Sequence, residues 1–297
     1  MTNVFRAFVC AAALIGLAAP ALARDCGEGA LGVSRTIAID GADRLALGLQ
    51  SYPQTLALAD HEVVLTFDDG PAPTTPQVLD ALEAQCVKAT FFLIGRNAAA
   101  MPQLVQREIR AGHSVGHHSN THPSKTFRIM SEEAGKADIE AGINAVNKAA
   151  GGAAAPFFRY PGFGDTKPLN AWLGAKGYTI FGTDNWASDW LMMTPQAELQ
   201  LILSRLEHDK KGILLLHDIK KQTAAMMPDL LRELKKRGFR IVHVAPGGGP
   251  TPVVAAGPGW ASTTEPVLAK LLGGKHGAGA GPALTPKADG ASGAGGM

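Results

Sequence analysis

The chain has 297 residues, of which 46% are hydrophobic and 18% are charged, so it can bury at least one sizeable core and is not disordered throughout. Its formal net charge is +2, and no basic stripe is interleaved with aromatic residues. No nucleic-acid partner is expected, because such partners select strongly basic surfaces.

The first 23 residues have the pattern of a secretory signal peptide. Arg6 supplies a positive start, the apolar stretch AFVCAAALIGLAA follows, and Ala21-Leu22-Ala23 offers small residues for cleavage. The apolar stretch has about 13 residues, which is short for a bilayer span and makes a retained membrane anchor the less favoured alternative. We expect a mature chain that begins at Arg24, has no membrane span and is secreted or periplasmic.

Residues 24–62 are predicted to form an irregular N-terminal lead-in, a segment without regular secondary structure before the main domain. Removal of the signal peptide takes Cys10 away and leaves Cys26 and Cys86. In a compartment that permits disulfides, we expect these two residues to form a bridge. The alternative is two unpaired, buried cysteines, since a free cysteine packs as a small hydrophobic residue.

Residues 63–245 alternate short β-rich segments with segments of helical periodicity. Leu199, Ile202, Leu203 and Leu206, for example, recur at intervals of three and four residues. Seven successive βα units predict an α/β domain whose mainly parallel sheet is closed, or nearly closed, as a barrel. The predicted strands are Val63–Phe67, Thr90–Ile94, Ser114–Gly116, Phe157–Arg159, Tyr178–Gly182, Ile213–His217 and Arg240–Val244.

Capping residues predict several helix ends. Ser131 and Thr194 carry side chains that cap helix N-termini, and Thr194 is followed by proline at the first helical position. Glycine favours the left-handed conformation that ends many helices. The predicted helix-terminating glycines are Gly112, Gly177 and Gly238.

Residues 246–297 are dominated by glycine, proline and alanine. Such a composition buries too little apolar surface to order itself, so it predicts a flexible tail with at most a short turn at Val267–Leu272. We therefore expect truncation after Pro246 to leave the function of the preceding domain intact.

Polar residues that can carry chemistry follow the carboxyl ends of the predicted strands, where a parallel βα barrel builds its active site. Asp68 and Asp69 directly follow the first strand, and two adjacent carboxylates are costly to bury unless a cation or hydrogen-bond donors receive them. Asp-Asp-Gly-Pro is also an ordinary turn composition, which is the alternative when it is taken alone. The other strands end in, or are followed by, His117, His118, His122, Arg159, Asp189, Trp190, His217 and Asp218.

The segment GHSVGHHSNTHP holds four of the nine histidines of the chain. His118 and His122 are four residues apart, a spacing that predicts both imidazoles on one side of a helical turn and suits a transition metal. With Asp69 they form a candidate metal site that leaves positions open for water. His113 is expected in the core, whereas His117 lies either beside the site or in the core.

Five motifs resemble, in order, those of the NodB-like polysaccharide deacetylases, carbohydrate esterase family four. The resemblance covers about residues 60 to 245 and implies that family's fold, a distorted seven-stranded (β/α) barrel. The motifs are TFDDGP at Thr66–Pro71, HSNTH at His118–His122, FFRYPG at Phe157–Gly162, SDW at Ser188–Trp190 and LLLHD at Leu214–Asp218.

The resemblance implies a role for each residue of the site. Asp69, His118 and His122 would bind a divalent metal, usually zinc, with cobalt, nickel or manganese as alternatives. Asp68 would be the general base that activates water, and His217 the general acid that protonates the departing amine.

It also implies the residues that support them. Arg159 would pair with Asp68, and Asp189 would orient His217. Leu215 is two residues before His217, on the same face of the strand, and would line the pocket for the acetyl methyl group.

Two positions depart from the family pattern. Gly162 is three residues after the motif arginine, where the family commonly has a tyrosine whose backbone N–H helps to hold the oxyanion. Trp186 stands where the family often has another aspartate. We predict substrate contacts from Pro161, Gly162 and Trp190. Trp186 and Trp190 are either sugar-stacking surfaces or core residues.

The sequence thus predicts a metal-dependent hydrolase that removes N-acetyl groups from N-acetylglucosamine-type units of an acetylated polysaccharide or oligosaccharide, such as a chitooligosaccharide or a peptidoglycan-like glycan. Amide hydrolysis needs an activated water, a positive centre and a proton for the leaving group, and the predicted site contains groups for each. The alternatives are an O-acetyl esterase acting on a xylan-like glycan, or a catalytically weak carbohydrate-binding protein of the same fold.

Overall fold

The strand and helix bounds come from a computed structural model that describes residues 27, 29–123 and 126–273. The strands are β1 Arg35–Ile39, β2 Ala46–Leu47, β3 Gln54–Leu56, β4 Glu62–Asp68, β5 Thr90–Leu93, β6 Ser114–His117, β7 Phe157–Phe158, β8 Thr179–Phe181, β9 Asn185–Trp186, β10 Gly212–His217, β11 Arg240–Pro246 and β12 Val253–Ala255. The helices are α1 Thr75–Ala84, α2 Gly95–Ala100, α3 Pro102–Arg110, α4 Glu132–Ala150, α5 Lys167–Ala175, α6 Pro195–Asp209, α7 Lys221–Lys236 and α8 Thr264–Gly273.

Strand β4 lies at the centre of a parallel sheet. It pairs with β5 on one side and with β10 on the other, and β11 joins its first residues. The sheet continues from β5 through β6 and β7 to β8. Strand β8 leads through residues 182–184 into β9, which pairs with β10, so the chain itself closes a distorted barrel. The predicted α/β barrel is confirmed, and all seven predicted strands end within two residues of their expected positions.

The alternation of side chains along β4 decides which residues reach the barrel interior. Val63, Leu65 and Phe67 pack outward in a core shared with α1, α6 and α7. Val64 instead belongs to a second apolar cluster that contains inward-facing residues of other strands. Asp68 is four residues after Val64 and shares its direction, because side chains alternate with a period of two. A carboxylate therefore ends the strand on the inner side of the barrel.

The predicted irregular lead-in is wrong for the part that the structure describes. Strand β1 pairs with β11, β2 pairs with β8, and β3 pairs with β12. Ile37 and Ile39 of β1 are buried, as are Leu47 and Leu56. The partners of these strands lie far along the chain, so no local pattern in residues 24–62 predicted their pairing. The signal peptide predicted over residues 1–23 lies outside the described residues.

The predicted flexible tail is also wrong up to residue 273. Strand β12 and helix α8 pack on the domain, and the indole Nε1 of Trp260 donates to the Leu49 carbonyl at 2.8 Å. Leu268 is only 2% exposed. The average composition of residues 246–297 did not reveal two short segments, β12 and α8, which are stabilised by tertiary contacts. Residues 274–297 lie outside the described residues.

The predicted helix boundaries are confirmed. The side-chain oxygen of Ser131 accepts a hydrogen bond from the third residue of α4, and Thr194 does the same for α6. The glycines expected to follow α3, α5 and α7 have positive φ, the conformation that ends a helix with little strain in a residue without Cβ. Their φ angles are 79° at Gly112, 79° at Gly177 and 75° at Gly238. Within the described residues, no helix is long and apolar enough to cross a membrane.

Cys86 follows α1 and is disulfide-bonded, as predicted. Its expected partner, Cys26, lies outside the described residues, so the pairing stays a prediction. A Cys26–Cys86 bridge closes a loop of about 60 residues and stabilises the fold by roughly 4 kcal/mol in the chain-entropy estimate. We expect thiol titration of the mature protein in non-reducing denaturant to find no free cysteine. Two reactive thiols would contradict the bridge.

Candidate active site

The candidate site lies at the carboxyl ends of β4, β6 and β10. Asp68 is the last residue of β4 and His217 the last residue of β10. Asp69 follows with a φ of 74°, a left-handed conformation that aspartate tolerates better than most residues. This turn in the backbone sends two neighbouring carboxylates to different partners.

Asp69 converges with two histidines. Its Oδ1 lies 3.5 Å from Nε2 of His118 and 3.4 Å from Nε2 of His122. Two ligands of a tetrahedral zinc ion with bonds of about 2.1 Å lie roughly 3.4 Å apart, so the spacing fits a metal. The same Oδ1 is buried and has no hydrogen-bond partner among the residues that the structure describes. The three atoms lie within 4.8 Å of one another and form the candidate metal cluster.

The protonation of His118 fits this interpretation. Its Nδ1 lies 2.7 Å from the Arg159 carbonyl, an acceptor, so Nδ1 must carry the hydrogen and Nε2 offers a lone pair. Burial lowers the pKa of His118 to about 3, and the ring is neutral near pH 7. A lone pair and a carboxylate oxygen then face each other across 3.5 Å, an arrangement that a cation stabilises.

The predicted helical turn between these two histidines is wrong. Residues 118–122 form an irregular segment in which Ser119 and His122 have φ angles of 64° and 52°. The Oγ of Ser119 accepts a hydrogen bond from the backbone N–H of His122 at 3.0 Å, which closes the turn. The spacing of four residues correctly predicted the juxtaposition, although a tight loop produces it.

Asp68 has a separate set of contacts. Its Oδ1 accepts from Nη1 of Arg159 at 2.7 Å, and the same nitrogen donates to Oγ1 of Thr66. Nη2 of Arg159 donates to the Gly182 carbonyl at 2.8 Å, so the guanidinium is fixed inside the barrel. Burial raises the pKa of Asp68, and the charge of Arg159 opposes the rise. Asp68 is thus a carboxylate that Arg159 holds in place, and its proton affinity is higher than that of an exposed aspartate.

His217 forms a pair with Asp189. Its Nδ1 donates to Oδ1 of Asp189 at 2.7 Å, and its backbone N–H donates to Oδ2 at 2.7 Å. Burial alone lowers the pKa of His217, but the charges of Asp189, Asp69 and Asp68 raise it to about 9. Nε2 faces the metal cluster, 3.9 Å from Oδ2 of Asp69. The ring is therefore oriented and carries a proton near pH 7.

A largely apolar cavity of about 320 Å³ opens beside these residues. Of the four predicted substrate contacts, Leu215, Trp190 and Gly162 line it. Pro161 does not line it, because Pro161 is buried within the turn that also contains Gly162. Trp186 also lines the cavity and lies edge-on to Trp190 at 6.0 Å, so both tryptophans belong to the wall rather than to the deep core.

Helix α8, which the composition of the tail did not predict, forms a wall of the cavity. Its carboxylate Glu265 accepts from Nη1 of Arg128 at 2.8 Å, and Nη2 of Arg128 also bonds to Asp165 at 3.1 Å. The signal was a helical spacing of apolar residues inside the glycine-rich tail. The residues of α8 that line the cavity are Thr264, Val267, Leu268 and Leu271.

Two other histidines of the same segment do not join the site. Nδ1 of His113 accepts from the Ala89 backbone N–H at 3.1 Å, and burial lowers the pKa of His113 to about 3. This confirms the predicted core position. His117 is 1% exposed, packs edge-on to Tyr178 and does not line the cavity, so it too is a core residue.

At its strand ends the parallel barrel carries an Asp-His-His cluster, a buried carboxylate and a histidine paired with a second carboxylate, the types of groups that metal-dependent hydrolases use. The sequence model of the polysaccharide deacetylase family matches residues 57–181. The chain is 32% identical over 202 residues to the chitooligosaccharide deacetylase of Sinorhizobium fredii, a match that spans 60% of this chain and 88% of that protein. The chain belongs to the polysaccharide deacetylase family, carbohydrate esterase family four.

Two further comparisons agree. A peptidoglycan-N-acetylglucosamine deacetylase of Bacillus cereus is 33% identical over 186 residues, which cover 59% of this chain and 66% of that protein. The solved peptidoglycan deacetylase of Bdellovibrio bacteriovorus superposes with a TM-score of 0.66 at 30% identity, over 74% of this chain and 61% of that one. The chain thus spans less than two thirds of the length of both relatives.

Proposed function

We propose that this protein is a divalent-metal-dependent hydrolase that removes acetyl groups from N-acetylglucosamine units of a glycan of the peptidoglycan or chitooligosaccharide type. The observation that carries the proposal is the division of the acid pair. Asp69 converges with two histidines, whereas Asp68 faces Arg159. The relatives named as peptidoglycan and chitooligosaccharide deacetylases support the choice of substrate class.

Asp69, His118 and His122 would hold the metal, for which we propose Zn²⁺, with Co²⁺, Ni²⁺ or Mn²⁺ as alternatives. One carboxylate and two imidazoles suit zinc, and three protein ligands are typical of its catalytic sites. A metal held by these three residues would supply positive charge for activating water and for stabilising negative charge that develops on the substrate carbonyl oxygen.

Asp68 would take the proton from the attacking water. Arg159 occupies Oδ1, and Oδ2 lies on the side of the metal cluster, 3.8 Å from Nε2 of His118. A carboxylate that accepts a hydrogen bond from Arg159 at one oxygen can take up a proton at its other oxygen without moving.

His217 would give the proton to the departing amine. An amine is a poor leaving group unless it is protonated, and the pKa of His217, raised by Asp189 and its neighbours to about 9 against the effect of burial, keeps the proton available. Leu215 would contact the acetyl methyl group, and the backbone N–H of Gly162 would face the oxyanion. Trp186 and Trp190 would contact the sugar rings.

We also propose that residues 1–23 are a signal peptide and that the mature chain, from Arg24, acts in the periplasm or outside the cell. The glycans on which the named relatives act support an extracytoplasmic site of action. Peptide sequencing of the exported protein tests the cleavage position.

The activity is tested with a defined chitooligosaccharide. We expect acetate release by the purified protein, loss of that release after chelation, and its return when Zn²⁺ is added back. Release from acetylated xylan, but not from the amide substrate, would instead indicate an O-acetyl esterase. Glycan binding without release of acetate at any metal concentration would indicate a carbohydrate-binding protein.

A further inference from the structure

A buried threonine hydroxyl lies between two carboxyl groups behind the His217–Asp189 pair. Oγ1 of Thr223, on α7, is 2.9 Å from Oδ2 of Asp189 and 2.8 Å from Oε1 of Glu198, on α6. Thr223 and Glu198 are both fully buried, and neither lines the cavity. A hydroxyl has one hydrogen to donate, so it cannot satisfy two carboxylates at once.

Both contacts are satisfied when one of the two carboxyl groups is protonated and donates to the hydroxyl. Asp189 accepts from the ring Nδ1 of His217 and from its backbone N–H, in addition to Thr223. These donors stabilise a negative charge on Asp189. Glu198 has Thr223 at Oε1, and in the part of the chain that the structure describes its Oε2 has no hydrogen-bond partner. A charge on Glu198 would be poorly compensated, so the proton belongs on Glu198.

We propose that Glu198 is a protonated positioning residue which donates its proton to Oγ1 of Thr223, and that Thr223 in turn donates to Asp189 and holds it ionised and aimed at His217. The proposal rests on the function proposed above for His217, and it adds two residues that act through Asp189. The direction of the hydrogen bonds is fixed: Glu198 to Thr223, Thr223 to Asp189, and His217 to Asp189.

The electrostatics of Glu198 agree with this order. Burial raises the pKa of Glu198 to about 7; a hydrogen bond that Thr223 would donate to the ionised form opposes the rise, the charge of Asp189 adds to it, and the charge of His217 opposes it. A buried carboxyl group destabilises the fold when it is ionised and poorly compensated. The protonated group costs little folding free energy when it donates a hydrogen bond.

Substitutions can distinguish whether the side chain at position 198 acts as a hydrogen-bond donor or as a charged carboxylate. Glu198→Gln keeps an N–H that can donate to Thr223, so we expect kcat within about threefold of the wild type. Glu198→Leu and Thr223→Val remove one link each, and we expect kcat to fall about tenfold with little change in KM, as for other residues that orient a catalytic group. Thr223→Ser keeps the hydroxyl and is the matched control, with near-normal kcat.

An infrared difference spectrum tests the proton without relying on activity. We expect the wild type to show a protonated carboxyl stretch near pH 7 that Glu198→Gln lacks. Its absence, or a Glu198→Gln variant as impaired as Glu198→Leu, would overturn the proposal. Normal kcat in Thr223→Val would overturn it as well. If the function proposed above is wrong, the wild type releases no acetate, whereas the infrared comparison still decides where the proton lies.

Discussion

Replacing Asp68 with asparagine is expected to leave the metal in place and to slow acetate release by about 10² to 10⁴-fold, the usual cost of removing a general base. The amide keeps the shape of the carboxylate, and Asp69, His118 and His122 are untouched. Arg159 loses its buried partner, so the melting temperature should also fall. The measurements are acetate release, metal content by mass spectrometry and thermal unfolding.

The neighbouring substitution should fail in a different way. Asp69→Ala removes one of three converging ligand atoms, and we expect the purified variant to lose both metal and activity. Asp80→Asn, on the exposed side of α1, serves as a control that should keep both. Near-normal turnover by Asp68→Asn would contradict the proposed mechanism. Full metal content in Asp69→Ala would contradict the proposed ligand set.

Removal of α8 is expected to change which glycans are used. A chain that ends at Ala261 keeps β12 and the Trp260 anchor but loses a wall of the cavity. Loss of apolar contacts should lower kcat/KM on a short chitooligosaccharide by about tenfold, a typical effect of a few methylene groups in a pocket. A long polymer no longer meets the helix, so the ratio of polymer to oligosaccharide activity should rise. This reverses the expectation that truncation after Pro246 is neutral.

Matched variants distinguish the effect of α8, the wall of the cavity, from the effect of the rest of the tail. A chain that ends at Gly273 keeps α8 and should match the full-length protein on both substrates. Leu268→Ala should reproduce part of the loss, because Leu268 is 2% exposed and lines the cavity. Leu272→Ala, at a position that is 42% exposed, should have no effect on kcat/KM. Equal substrate ratios for the chains ending at Ala261 and Gly273 would rule out the wall.

The barrel strands and several helix ends could be predicted from the sequence, because each depends on a few neighbouring residues. Apolar runs predicted the seven barrel strands, and Ser131, Thr194 and the helix-terminating glycines marked helix ends through their own conformational preferences. The candidate metal cluster was also within reach. Asp69, His118 and His122 follow strands of a parallel barrel, and the carboxyl ends of such strands meet at one face.

Other features depend on contacts between segments that are distant along the chain. Strand β1 is paired with β11, and the Glu265 carboxylate of α8 is bonded to Arg128. The interactions within either segment are too few to offset the conformational entropy that is lost when the segment becomes ordered. Composition therefore misassigned both.

The direction of individual side chains was likewise decided by the tertiary structure. The left-handed backbone at Asp69 separates two adjacent acids, and a tight loop rather than a helical turn brings His118 and His122 together. Thr223 meets Glu198 and Asp189 only because α6 and α7 pack behind the end of β10. The chemical groups of the site, and the strands that carry them, could be identified from the order of the residues alone. Tertiary packing determined their partners, because a hydrogen bond between distant segments depends on where the whole chain places its two ends.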